Sequence, residues 1–282
     1  MRRVLLLVIL AAFIGDRPAL PGTLVEFPNL PGREPARLIG YLARPDAGLS
    51  ALIRTTPTGA APYPAVVALH GCGGISSHSA AIADRLGAWG YVALSIDTLG
   101  PRGMEGGCRS GTFLDQAFDA YAALRYLSSL EVVDARRVAL FGQSMGGSAT
   151  LYAVDGDLAA QYFDQRFRAA IAYYPRCAAV PGVSTMTAPV LVLIGEADQW
   201  NEADACKALR NRARADSASI DLTVYPGVHH AFDVAQLKPG RGPTGRWVEY
   251  DELAARDAEE KTRAFLADHL VSMAVMPQPR PR

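Results

Sequence analysis

The stretch Arg137-Val138-Ala139-Leu140-Phe141-Gly142-Gln143-Ser144-Met145-Gly146-Gly147 is the most informative in the chain. Its first part, 137–141, reads as a short strand buried on both faces, and the residues beyond 144 have helical character. Glycines on both sides of Ser144 allow a sharp turn between the two, because a side chain there would collide with the approaching backbone. Such a turn lifts the serine hydroxyl clear of a sheet. Ser144 is therefore a candidate nucleophile; the competing reading is an ordinary glycine-rich turn.

The neighbouring segments give that strand its setting. Residues 65–69, 91–96, 169–173, 190–194 and 220–225 are short and rich in Val, Ile, Leu, Ala and Tyr, as expected of parallel strands covered on both sides. Segments of helical period, 79–89, 113–127, 145–154, 202–213 and 249–270, lie among them. Upstream, 23–27 and 38–42 alternate apolar with polar residues around a Pro/Gly turn and predict an antiparallel hairpin. The pattern predicts an α/β fold: one mostly parallel, doubly wound sheet with helices on both faces and an N-terminal antiparallel hairpin. A loop at 54–64, rich in Thr, Ala, Gly and Pro, separates hairpin from sheet.

Composition narrows the function. The chain has 282 residues, 50% apolar and 20% charged, enough for a large core. Lys plus Arg and Asp plus Glu each total 28, so the net charge of zero offers no basic field for nucleic acid. Arg2 and Arg3 precede the apolar run 4–15, which reads as an export signal or membrane tether over 1–20, with a buried N-terminal helix as the alternative. A single domain is then expected over 21–272 and a loose Pro-rich tail over 273–282. The expected location is periplasmic or secreted, where the four cysteines, Cys72, Cys108, Cys177 and Cys206, favour disulfides over free thiols. The alternative is that they are small buried hydrophobes.

Doubly wound sheets bind ligands beyond the carboxyl ends of their strands. A serine nucleophile needs a base, and the base needs an orienting acid. The loop after 220–225 carries His229 and His230, either of which could serve; His70, His78 and His269 read as structural or surface residues. Asp198, after 190–194, is the candidate acid, with Glu196 its nearest competitor. An oxyanion hole requires two backbone N–H groups. The amides of Cys72, in His70-Gly71-Cys72-Gly73-Gly74, and of Met145 are the candidates. That loop lacks the lysine of a phosphate-binding loop, and Cys72 lacks the turn of a nucleophile. Arg102, Tyr174 and Trp200 are candidate substrate contacts, with packing or rim roles as alternatives.

Taken together, His70-Gly71-Cys72-Gly73-Gly74, Asp97 with Pro101-Arg102-Gly103, Gly142-Gln143-Ser144-Met145-Gly146, Gly195-Glu196-Ala197-Asp198 and Tyr225-Pro226-Gly227 with His230-Ala231-Phe232 resemble the dienelactone hydrolase family of α/β-hydrolases. The resemblance spans roughly 38–270. It implies a Ser144, Asp198, His230 triad, because the family histidine precedes a small residue and then Phe, which selects His230 over His229. It also implies bridges Cys72–Cys108 and Cys177–Cys206. Two departures stand out. The family's named enzyme has a cysteine nucleophile where this chain has Ser144, and it holds a substrate carboxylate with two arginines. Arg102 can match the first; the stretch Ala231-Phe232-Asp233-Val234 after His230 has no arginine to match the second. The resemblance therefore implies a serine hydrolase for carboxylic esters or lactones, using no metal or organic cofactor, with a small-molecule partner and no membrane contact beyond an N-terminal tether. The alternatives are a peptidase or acyltransferase on the same fold, or a non-catalytic binding protein. No lid insertion is evident between 173 and 190, which favours short or soluble substrates.

Overall fold

The apolar runs assemble into one eight-stranded sheet. The computed structural model describes residues 22–31, 33–45, 61–107, 112–180, 185–242 and 245–271. The expected export segment 1–20, the tail 273–282, Cys108 and most of the 54–64 loop lie outside the described residues.

Strands β1 (Thr23–Pro28) and β2 (Arg37–Ala43) form the predicted hairpin, with Thr23 opposite Leu42 and Pro28 opposite Arg37. Then β3 (Tyr63–Leu69), helix α1 (Ser77–Ala88), β4 (Val92–Asp97), α2 (Thr112–Ser128) and β5 (Val133–Gln143) alternate. Helices α3 (Met145–Ala153) and α4 (Gly156–Tyr162) lead to β6 (Ala169–Tyr173) and β7 (Val190–Gly195). Helix α5 (Ala203–Asn211) leads to β8 (Ile220–Tyr225). A small hairpin, β9 (Gly240–Arg241) with β10 (Trp247–Val248), precedes α6 (Glu252–Leu266). The sheet order is β1-β2-β4-β3-β5-β6-β7-β8, antiparallel through β2–β4 and parallel from β4 onward.

Burial explains the two sequence patterns. Every residue of β6 and β7 is buried, so these strands carry no alternation, whereas β1 at the sheet edge buries only Phe27 fully. Each fully covered Val, Leu or Ile contributes roughly 1.5–3 kcal/mol. Helix α2 returns the chain from β4 across β3 to β5, so strand order reverses beside β3. This is where such sheets open a crevice. Helices α1 and α6 lie together on one face, bridged by Arg85 and Glu259 at 2.8 Å.

Several elements differ from the sequence reading. Strand β5 starts at Val133 rather than 137, because its polar residues extend past the sheet body: Asp134 pairs with Arg136 and Arg137, and Val133 pairs with Tyr63 across a bulge. Helix α6 starts at Glu252 rather than 249, where the Asp251 side chain accepts the Ala254 amide at 2.8 Å and caps the first turn. Helix α4 and the β9–β10 hairpin have no counterpart in the sequence pattern; both are too short to show a period.

Candidate active site

At the end of β5 the backbone turns through Ser144 at φ +54°, a left-handed value that is uncommon outside glycine. The flanking glycines make this possible. A Cβ on Gly142 would overlap the Gly146 carbonyl, and one on Gly146 would lie 2.5 Å from the Leu69 oxygen and 2.8 Å from that of His70. The elbow is thus pressed against the end of β3.

Ser144 Oγ lies 2.9 Å from His230 Nε2, and His230 Nδ1 lies 2.7 Å from Asp198 Oδ2. The partners set the tautomer: Nδ1–H donates to the carboxylate, leaving Nε2 to accept the serine hydroxyl. The second oxygen of Asp198 accepts the amides of Trp200 (2.7 Å) and Asn201 (2.9 Å), and its side chain is fully buried. These bonds fix the carboxylate against the imidazole edge. Gly195 lets the histidine loop come close, since a Cβ there would overlap the Val228 carbonyl. The bridge between His230 and Val248 of β10 supports the loop from the other side.

The competing residues lie elsewhere. His229 turns its Nδ1 to the Ala197 carbonyl at 3.1 Å, and Glu196 is exposed and accepts the Gly227 amide at 3.1 Å. His70 is buried beneath the Gly71–Gly74 loop; its Nδ1–H donates to the Gly71 carbonyl at 2.7 Å, and its Nε2 accepts the Thr98 amide at 3.2 Å. Burial pushes its pKa down, against the opposing pull of Gly71 and Asp97. A neutral His70 therefore braces this loop. His78 meets Gln143, the residue before the elbow serine, at 2.9 Å. Gln143 also donates to Asp233, which accepts the Tyr174 hydroxyl at 2.6 Å.

A cavity of about 480 Å³ opens above Ser144. Cys72 and Met145 line it, and Met145 is the first residue of α3, so its amide has no acceptor within the helix. Trp200 and Phe113 form apolar wall, while Arg176 and Arg246 bring positive charge. Neither arginine forms an ion pair among the described residues.

Two expected contacts need correction. Arg102 does not line the cavity: its guanidinium grips Asp119 of α2 through two bonds of 2.8 and 2.9 Å and also donates to the Thr98 carbonyl. Burial pushes the Asp119 carboxyl up and Arg102 opposes that rise, so releasing the arginine would strand a buried acid. Tyr174 is also off the cavity, 2% exposed, with its ring edge-to-face against His230 at 4.6 Å. Sequence reasoning missed Arg176 and Arg246. The first stands just past a strand end, a usable signal; the second sits beside β10, which has none.

Cys177 and Cys206 are joined, as the resemblance implied, with Cα atoms 5.0 Å apart. The bridge ties the 3₁₀ turn Cys177–Ala179 to α5 at the cavity rim. Cys72 is also disulfide-bonded; its expected partner, Cys108, lies outside the described residues. Among the described residues no group of three or more His, Cys, Asp or Glu could hold a metal ion, and no helix is long and apolar enough to cross a membrane.

Comparison with known proteins places the chain. The model of the dienelactone hydrolase family matches residues 50–270. The chain belongs to the dienelactone hydrolase family. It is 28% identical over 240 residues to a Bradyrhizobium protein named as a probable 2-oxo-3-(5-oxofuran-2-ylidene)propanoate lactonase, covering 80% of this chain and 91% of that one. Among solved structures, a dienelactone hydrolase-like promiscuous phosphotriesterase from metagenomic libraries superposes with a TM-score of 0.67 at 21% identity, covering 88% of this chain and 99% of that one. Esterase 2 of Thermogutta terrifontis, captured phosphorylated by paraoxon, gives 0.62 at 18%, covering 88% and 94%. The chain is thus an α/β-hydrolase of the carboxylic ester hydrolase class.

Proposed function

We propose that this family member is a serine hydrolase that cleaves small carboxylic esters or lactones through an acyl-enzyme on Ser144. The observation that carries this is the continuous chain from Ser144 Oγ to His230 (2.9 Å) and from His230 to Asp198 (2.7 Å) at the floor of the cavity. His230 Nε2 takes the Ser144 proton as Oγ bonds to the substrate carbonyl carbon, and the carbonyl electron pair moves onto oxygen. The Met145 and Cys72 amides receive that oxyanion. Collapse expels the alkoxide, which takes the proton from Nε2. Water then enters by the same route and releases the acid, regenerating Ser144. In a lactone the leaving alkoxide remains tethered to the acyl group, and ring opening is the net result.

Arg176 and Arg246, which form no ion pair among the described residues, favour substrates with an acidic substituent, consistent with the propanoate in the name of the Bradyrhizobium relative. Ser144→Ala should lower turnover of p-nitrophenyl acetate and of an acidic enol lactone by at least about 10³-fold, with an unchanged melting temperature. Retention of more than a tenth of the activity by the folded variant would overturn the proposal.

A further inference from the structure

The triad leaves one neighbour of His230 without a role. The indole of Trp200 lies nearly parallel to the imidazole, with ring centroids 5.5 Å apart and planes 19° apart, and His230 is only 5% exposed. We propose that Trp200 is a positioning residue whose π face stabilises the imidazolium that His230 becomes when it accepts the Ser144 proton. This rests on the serine-hydrolase reading above.

The physical basis is a difference between two charge states. A neutral imidazole gains only dispersion from a parallel indole, whereas an imidazolium is also attracted by the negative face of the ring, and indole has the strongest such face among the side chains. An interaction that strengthens only as the cation forms lowers the barrier rather than tightening substrate binding. Asp198 meets the imidazolium at its Nδ1 edge and leaves the ring face to other groups. Among the described residues, Trp200 and the crossing Tyr174 are the aromatic rings that pack on the imidazole, and Asp233 and Arg246 stand one ring further out.

A further observation supports this use of the ring. The indole Nε1–H is buried without a hydrogen-bond partner among the described residues. A phenyl or leucyl group would fill wall space without stranding a donor, so what the indole adds is its face. Its backbone amide, bonded to Asp198 Oδ1 at 2.7 Å, fixes that face and the orienting acid on one short segment.

The test replaces Trp200 in the full chain with tryptophans carrying one to four ring fluorines, which drain the π face with little change of shape. With p-nitrophenyl acetate, kcat should fall stepwise with fluorine number, by roughly 2- to 30-fold over the series. KM should stay within about twofold. Trp200→Phe should retain more activity than Trp200→Leu. A flat fluorine series beside an inactive Ser144→Ala would show that the ring only packs and would overturn the inference alone. A series that raised KM and left kcat unchanged would mean that the ring binds substrate, and it too would overturn the inference. An active Ser144→Ala would overturn both this inference and the reading beneath it.

Discussion

His70 shows how much a single side chain can do away from the reacting atoms. Its two ring nitrogens are committed in opposite senses, one donating to Gly71 and the other accepting from Thr98, so a second proton would break the Thr98 bond. Its folded pKa is depressed by burial. Stability from this site is therefore present above the ordinary histidine value of 6.5 and is lost as pH falls below it toward the lower folded value, because the unfolded chain takes up a proton that the native loop refuses. Melting temperature should fall more steeply between pH 7 and 5 in the parent than in His70→Gln; parallel slopes would refute this. The sequence places His70 at a strand end in a structural or surface role, and the buried, hydrogen-bonded ring is the structural one. It misplaces Arg102 because Asp119 is on a different element, and a guanidinium's partner across space leaves no local trace. For the same reason it cannot choose between His229 and His230 without the family resemblance. The choice is visible in the fold as a turn of one ring toward Ala197 and of the other toward Ser144.

Among the elements, the elbow between β5 and α3 is closely packed. Gly146 lies against the carbonyls of Leu69 and His70, which are backbone and cannot swing aside. Gly146→Ala should therefore cost about 1–3 kcal/mol of stability through overpacking, measured by urea unfolding. Because the displaced groups begin the Cys72 loop, kcat should also fall by at least about tenfold. A variant with unchanged stability and activity would show that the elbow has slack. The buried strands are legible because burial on both faces removes alternation, as in β6, whose bounds are those read from sequence; the edge strand β8 also has those bounds, though only its two end residues are buried. Helix α4 and the β9–β10 hairpin escape because elements of two to seven residues carry too little pattern, and their positions follow from contacts made by the rest of the molecule.

For the molecule as a whole, parallel strands do the assembling. With β3, β5, β7 and β8 all pointing the same way, the residues that follow them, Cys72, Ser144, Asp198 and His230, emerge at one edge of the sheet. This brings together side chains 86 and 32 positions apart. Strand-end motifs forecast that edge; they do not forecast the cavity charge, which comes from Arg176 and Arg246 on unrelated loops. In the proposed hydrolase this edge makes Ser144 a nucleophile. That role is tested most directly by treating the protein with a fluorophosphonate and mapping the adduct by peptide mass. One adduct per chain is expected, on the peptide containing Ser144, and it should be lost in His230→Ala. Labelling at another residue, or none in the folded protein, would contradict that role.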